Sequence, residues 1–452
     1  MTTTDEDVHA VSPDGALPLL QFWKDEDHSS SWVADFRRRG YARYRALGGL
    51  PTPKIETWKY TDLARFKLPL YQPSLVEEGK IEVGENILSS LSWPLTEGLL
   101  TIPGSQLILV NGHFTPKLSS AALPDGLIVQ SLKDSLRYDK DLKDRLLSPE
   151  KAQPMAALNA AWLEDGLVLR FKKNFAKDNI VHIVCVSTKN SSQSPIVIHP
   201  YIVVIVEGNA ILIESHIGLS TVLTNMVSSL HIEPHATLTH VRAQSGVSDA
   251  HIICSSTAHV GSRGLYQGFV LTTGLGLVRN ELTVTLAERE AACRLSGAYT
   301  ADSDRHVDNT IVIDHVATAT KSRQTFKGVL DNGGRGVFQG RISIHPQAQK
   351  SDGYQTHRAL LLSPGAEVDC KPELEISADD VKCTHGATAG ELDEETLFYL
   401  RTRGLNSETA RALLIKAFLS DVVDEMSLGV PKLSNATMAM VAVWLADRTF
   451  QT

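Results

Sequence analysis

Val337-Phe-Gln-Gly-Arg-Ile-Ser-Ile-His345 sets the reading of this chain. From Arg341 to His345 polar and apolar residues alternate strictly, which is the period of a β-strand with one buried face. Comparable short runs of Val, Ile, Leu and Thr lie before it, at Leu167–Phe171, Ile180–Val186, Ile202–Val206, Ala210–Ile213, Thr237–Val241, Phe269–Thr272, Leu282–Leu286 and Ile311–Ile313. Gly, Asn, Ser and Asp punctuate them. No sustained 3.6-residue stripe interrupts residues 161–385, so roughly 200 residues read as an all-β body. A single sandwich closes in far fewer residues. A propeller would repeat a blade signature every 40–50 residues or so, and none recurs. A solenoid needs no strict repeat, because each coil only has to stack its inward apolar side chains on the coil before it. A β-solenoid is therefore the first expectation for the core, over residues 161–390.

The flanks differ in texture. Residues 1–160 are mixed α/β. Phe22–Tyr41 reads as a helix with Trp32, Phe36 and Tyr41 on one broad face, broken by Pro51-Thr-Pro53. Leu107–Val110 followed by Asn111-Gly112 reads as a strand entering a turn, and Leu68–Pro73 as a connecting loop. Asp134–Leu147 interleaves charge with leucine, as a surface helix does. Residues 391–452 are helical. Asp393 is placed to cap a helix starting at Glu394, and Gly404 to stop it. Asn406 or Ser407 starts a second helix with a stripe of Ala410, Leu413, Leu414, Ala417, Phe418 and Val422, and Met438, Val441, Ala442 and Leu445 form a third. Between Glu391 and Glu425 there are eight acids and four bases, so this appendage is acidic.

Composition narrows the function. The 452 residues predict two to three domains. With 42% hydrophobic and 21% charged residues, a large core is available. A net charge of −8 disfavours a nucleic-acid binder, which needs a cationic footprint. No apolar run reaches the length of a membrane span. Met1–Leu20 carries four acids and no Lys or Arg, the wrong charge for a signal or transit peptide, and a cytoplasmic location is expected. The five cysteines, at 185, 254, 293, 370 and 383, are odd in number and widely spaced, which fits a reducing compartment without a disulfide framework.

Several chemistries are missing. There is no Gly-x-x-x-x-Gly-Lys-Ser/Thr phosphate loop, no Cys-x-x-Cys, no His-Glu-x-x-His and no Gly-x-Ser-x-Gly. Gly274-Leu-Gly276 fails as a dinucleotide fingerprint for want of a third glycine and reads as a turn. The best local constellation is Cys383-Thr-His385. On a strand these two side chains share one face, about 6.5–7 Å apart, and pair a thiolate with an imidazole, donors suited to iron or zinc. Two ligands leave such a site incomplete, and a buried cysteine beside a hydrogen-bonded histidine is the structural alternative. His231, His235, His240, His306 and His315, with Asp302, Asp304, Asp308 and Asp314, could make a histidine–carboxylate site or be turn and outer-face residues. Cys185, Cys254 and Cys293 read as core. Trp58-Lys-Tyr60 reads as a turn with its rings packed inward, or as a docking patch.

Together, several segments resemble one family. Glu56-Thr-Trp-Lys-Tyr-Thr-Asp-Leu63 is similar to its N-terminal motif. His306–His315, Ser322–Leu330, Val337–Ile344 and Ala348–Asp352 follow in the family's order. Lys371-Pro-Glu-Leu-Glu-Ile-Ser-Ala-Asp-Asp-Val-Lys-Cys-Thr-His-Gly-Ala-Thr388 and Leu397-Phe-Tyr-Leu-Arg-Thr-Arg-Gly404 complete it. On these motifs the chain is identified as a member of the SufB/SufD family of iron–sulfur cluster assembly proteins. His385-Gly-Ala-Thr388, with Cys383 two residues earlier, resembles the SufD branch; the SufB branch has His-Glu-Ala-Thr. The resemblance implies a right-handed parallel β-helix between an N-terminal domain and a C-terminal helical domain. It implies a non-catalytic scaffold subunit of a SufBCD complex that also serves iron acquisition. SufB would pair through the end of the β-helix, and the SufC ATPase, which would carry the nucleotide site absent here, would bind the helical domain. It makes His385 a candidate ligand of a transient iron–sulfur cluster or iron shared with SufB, with Cys383 beside it and Cys370 accessory. His357 lies near the position of a key SufB cysteine. No cofactor would be held tightly by the isolated chain, which could also form a homodimer. The rival readings are a β-helix carbohydrate-active enzyme using Asp302, Asp304 and Asp308, and a homodimeric binding protein with no metal role.

Overall fold

Residue 337 and its neighbours do form a strand, Arg335–Ile344, and its partners on both sides are parallel. Consecutive strands alternate between two sheets, so each joins the strand two places back in the chain. The first sheet, of 11 strands, builds from Leu127–Ser131 and Gly166–Phe171 through Tyr201–Val206, Val222–Ile232, His251–Val260, Leu277–Leu286, His306–His315 and Arg335–Ile344 to Glu367–Ile376. The second, of 10 strands, runs from Ser105–Val110 through Ile180–Ser187, Asn209–Gly218, Thr237–Gly246, Leu265–Thr273, Ala292–Ala301, Lys321–Leu330 and Asp352–Leu361 to Lys382–Gly390. This computed structural model describes residues 31–67, 71–73, 98–188, 195–426 and 431–449. Its body is a parallel β-helix, as expected, and the sheets draw strands from both sides of residue 161.

One coil does not equal the next in length. The register steps by 26 residues from His251 to Leu277, by 29 from Leu277 to His306 and by 32 from Arg335 to Glu367. The strands keep a nearly constant length while the corners vary, which is why no fixed repeat shows in the sequence.

Side chains alternate between the inside of the coil and its outer face. Leu212 and Leu238 belong to the interior cluster with Phe326 and Phe338, whereas their neighbours Ile213 and Val241 belong to a different, outer cluster. Both outer faces are covered along much of their length. On the first sheet, Val203, Val227 and Ile253 pack under helices Ser31–Ala46 and Pro154–Ala161. On the second, Phe269, Leu271 and Val329 pack under Ile415, Leu419 and Val422 of helix Ser407–Met426 and Val441 and Trp444 of helix Pro431–Thr449. Strands buried on both faces read as continuous apolar runs rather than alternating ones, as Ile202–Val206 does. The cover stops before the last coil. Glu367–Ile376 and Lys382–Gly390 are mostly exposed or half-buried.

Local signals held where they were strong. Asn111 and Gly112 both take positive φ, 49° and 88°, and join Ser105–Val110 to the antiparallel His113–Phe114 as a two-residue hairpin requires. Asp393 accepts the amides of Glu395 and Thr396 at the start of helix Glu394–Thr402, and Gly404, at φ 94°, ends it. The expected N-terminal helix is present from Ser31 and runs on to Ala46, with Val33, Phe36 and Tyr44 inward and Tyr41 half-buried; residues 22–30 of that expectation, and 68–70 of the expected loop, lie outside the described residues. The helix expected over Asp134–Leu147 is instead Leu132–Tyr138 and a separate turn Leu142–Arg145. Asp139, between them, is held 2.5 Å from Arg170 on a strand, and Leu142 is fully buried, so tertiary contacts override helix continuation. No helix among the described residues is long and apolar enough to cross a membrane.

Candidate functional site at the open end of the coil

The last coil has no coil beyond it, so its inward side chains face the open end of the β-helix. In Asp352–Leu361 the inward residues are Gly353, Gln355, His357 and Ala359. The parallel register sets Cys383 beside Gly353 and His385 beside Gln355, so both point inward. In the other sheet Cys370 stands beside the inward Phe338. The fold thus brings Cys370, Cys383 and His385 to the same end, on the inner faces of the two terminal strands.

Their environments differ. Cys383 is half-buried against Ile342, Ile344, Ala348 and Ala378, and burial, with Asp352 nearby, pushes its thiol up. His385 is exposed. Cys370 is half-buried and its Sγ lies 3.1 Å from Nδ1 of His357. Burial pushes the Cys370 thiol up to about 11, with the Asp369 charge adding to it. His357 is completely buried, and its ring lies against Phe338 (centroids 4.9 Å apart, 13° between planes) and Tyr299 (5.9 Å, 20°). Its Nε2 is 2.8 Å from the Tyr299 hydroxyl, and burial lowers its pKa to about 4. Among the described residues no three His, Cys, Asp or Glu side chains converge as a metal site. The end of the coil therefore holds two soft pairs, Cys383 with His385 along one strand and Cys370 with His357 across the sheets, and each offers two donors.

The histidines His231, His240 and His315 are engaged in structural contacts, and His240 and His315 lie inside rather than on the outer face. His240 and Arg242 donate to the buried carboxylate of Glu214 at 3.0 and 2.9 Å, and His216 approaches the same group. The Arg242 charge and these donors hold Glu214 well below the usual carboxylate range despite complete burial. His315 sits in a corner between Thr320 and Ser322 hydroxyls, both at 2.8 Å, and His231 meets the Arg145 carbonyl. His235 lies in a turn at φ 65°. Cys185, Cys254 and Cys293 are buried in the interior.

Asp302, Asp304 and Asp308 do not form an open carboxylate groove. Asp308 is fully buried against Arg279 and Thr61, Asp302 pairs with Arg305, and Asp304 reaches outward to Arg65. The Glu56–Leu63 segment explains part of this. Trp58 is fully buried in a 3-10 turn, with the Arg279 guanidinium 3.9 Å from its ring centroid. Arg279 donates to the Thr57 carbonyl at 2.7 Å, and Lys371 reaches Glu56 at 2.6 Å. The inward-packed reading of Trp58 is the one observed, and the segment is a clamp across the outer face of the first sheet.

Two features had no clear trace in sequence. The contact between Cys370 and His357 depends on knowing the coil step, since their strands belong to different sheets. The exposure of Phe398 (69%), Tyr399 (54%) and Leu413 (43%) on the C-terminal helices is the other, since the helical stripe counts Leu413 as inward.

Comparison with known proteins agrees with this architecture. The family model described as "SUF system FeS cluster assembly, SufBD core domain" matches residues 187–418, and "SufBD protein N-terminal region" matches residues 24–183. An iron–sulfur cluster assembly SufBD family protein of Synechocystis is 30% identical over 439 residues, covering 93% of this chain and 94% of that protein. The iron–sulfur cluster assembly protein SufD of Escherichia coli is 27% identical over 401 residues, covering 84% and 86%. SufD of Bacillus subtilis is 26% identical, covering 91% and 94%.

Proposed function

The chain belongs to the SufBD family of iron–sulfur cluster assembly proteins, and from that premise we propose that it is a non-catalytic scaffold subunit, cytoplasmic, whose open coil end pairs with SufB. The observation that carries this reading is the last coil itself. Both terminal strands, Glu367–Ile376 and Lys382–Gly390, lie at sheet edges and offer unpaired backbone groups. An exposed edge is a template for a strand from another chain unless it is blunted. Cys383 and His385 sit on the inner face of that edge with an incomplete ligand set, so a cysteine from the partner would complete it. The cargo is an iron–sulfur cluster or iron held transiently at the junction, and the same surface serves iron acquisition.

The helical region is the proposed seat of the SufC ATPase. Phe398, Tyr399 and Leu413 supply apolar area, and the surrounding helices are acidic. Motion of those helices on nucleotide binding by SufC would reach the coil through helix Ser407–Met426, and a site split across an interface opens with a small rotation. The test is co-purification of the chain with SufB and SufC, followed by mass measurement and iron and sulfide analysis. His385→Ala is expected to leave assembly intact and lower cluster formation; Phe398→Asp is expected to release SufC and keep SufB. Loss of the whole complex in His385→Ala would make that histidine structural and overturn its role as a ligand.

A further inference from the structure

We propose that Cys370 and His357 form a second metal site, separate from Cys383 and His385, that takes a thiophilic divalent cation of the first transition row. The geometry carries this. Sγ and Nδ1 face each other at 3.1 Å across the gap between the sheets, at the open end, where one of the two residues is accessible. A tetrahedral ion with bonds of about 2.3 Å to sulfur and 2.0–2.1 Å to nitrogen sets those atoms about 3.6 Å apart. A shift of about 0.5 Å, within reach of a rotation of the Cys370 side chain, lets an ion replace the proton that now bridges the pair.

His357 is held for this task. Tyr299 meets Nε2 at 2.8 Å, and the Phe338 and Tyr299 rings lie nearly parallel to the imidazole, with centroids 4.9 and 5.9 Å away. In the tautomer with Nε2–H donated to the Tyr299 oxygen, the Nδ1 lone pair is aimed at Cys370. A ligating histidine that donates its other ring nitrogen to a fixed acceptor is the usual supporting arrangement in metal sites. Tyr299 is thus a positioning residue. The remaining coordination positions face the open end and are left to water or to an incoming group. A hydrogen bond with a purely structural purpose would not need its thiol at the one place where the interior opens.

The site is independent of whether Cys383 and His385 hold a cluster, and one experiment separates the two. The full chain, reduced and stripped of metal, is titrated with cobalt(II), and the thiolate-to-cobalt charge-transfer band in the near ultraviolet is followed. The band is expected with the unaltered chain and with Cys383→Ala and His385→Ala. In the Cys383→Ala background, where the other thiol–imidazole pair is gone, it is expected to vanish on Cys370→Ser, a near-isosteric change at a half-buried position. Tyr299→Phe keeps both donors and is expected to weaken cobalt affinity about tenfold or more at an unchanged melting temperature. No band up to millimolar cobalt, a band that survives Cys370→Ser in the Cys383→Ala background, or full affinity in Tyr299→Phe would each overturn the site as drawn.

Discussion

The clamp formed by residues 56–63 makes a quantitative prediction. Arg279 and Asp308 are both completely buried and form an ion pair under Trp58. Arg279→Met removes the positive partner and leaves the Asp308 carboxylate with the Thr61 and Thr310 hydroxyls, at 2.5 and 2.9 Å. Breaking a buried pair from one side costs about 3–5 kcal/mol. The lost cation–π contact adds about 1–2 kcal/mol, and a methionine sulfur against the Trp58 ring returns about 1 kcal/mol. The net is about 4 kcal/mol. Asp308→Asn strands a charge that still has Glu281 at 2.9 Å, so about 2–3 kcal/mol is expected. In the double variant neither buried charge is left alone, and its cost should fall short of the sum by about 2–3 kcal/mol.

Native-state hydrogen exchange reads this locally, which suits a chain too large for a single unfolding free energy. The probes are the amides of Trp58 and Thr61, which bond the carbonyls of Ile55 and Trp58 at 2.8 and 2.9 Å. A loss of about 4 kcal/mol speeds their exchange by roughly a thousandfold. Additivity of the two single changes within about 0.5 kcal/mol would refute the idea that the pair holds the clamp.

Acid should loosen the coil more widely. His251, His306 and His315 are buried and each is lowered from 6.5 to about 4. The unfolded chain therefore takes up these protons first, so the stability they contribute is complete above about pH 6.5 and is lost as pH falls toward 4; at pH 5 each costs about 2 kcal/mol. An equal urea midpoint at pH 7 and pH 5 would contradict this. Lys327→Met tests the helical region: the buried Lys327 ammonium donates to the Phe418 carbonyl at 2.6 Å and to Asp421 at 2.9 Å. Because Asp421 is largely exposed, the carbonyl bond dominates, and about 1.5–3 kcal/mol of helix docking should be lost. The assay is amide exchange in Ser407–Met426, with the β-helix signal unchanged. Gly334→Ala should prevent proper coil closure, since its Cβ would stand 2.1 Å from the Ala301 carbonyl oxygen; soluble protein with native circular dichroism would count against that.

Much of the β-helix was legible because its strands either are apolar on both faces, as Ile202–Val206 is, or alternate cleanly, as Arg341–Ile344 does. Ile202–Val206 and Val337–Ile344 are seen almost at full length. Ala210–Ile213 is only the first part of Asn209–Gly218, because the strand continues with Glu214, Ser215 and His216, and polar side chains placed inside a coil look like a turn in sequence. Helix caps such as Asp393 were legible because both partners lie within one turn. The Trp58 clamp was not, since Arg279 lies 222 residues from the Thr57 carbonyl it holds. At the candidate site the strand parity of Cys383 and His385 could be read from their spacing. The partner of Cys370 could not, because the coil step changes from one turn to the next.

The position of the site follows from the architecture. Inside a two-sheet coil every inward side chain is roofed by the next coil, and polar groups there must satisfy one another, as Glu214 does with Arg242, His216 and His240. The last coil has inward side chains without a roof. A thiol or imidazole placed there keeps free coordination sites, but two short strands cannot surround an ion on their own. The edge that leaves the ligands incomplete is the same edge that offers unpaired backbone to another chain. On the proposed pairing, completing the coil and completing the site would be one event, and separating the partners would expose both. A single-chain site deeper in the helix would have full coordination and no means of release, whereas one at the end trades affinity for access, which is what a transient cargo requires.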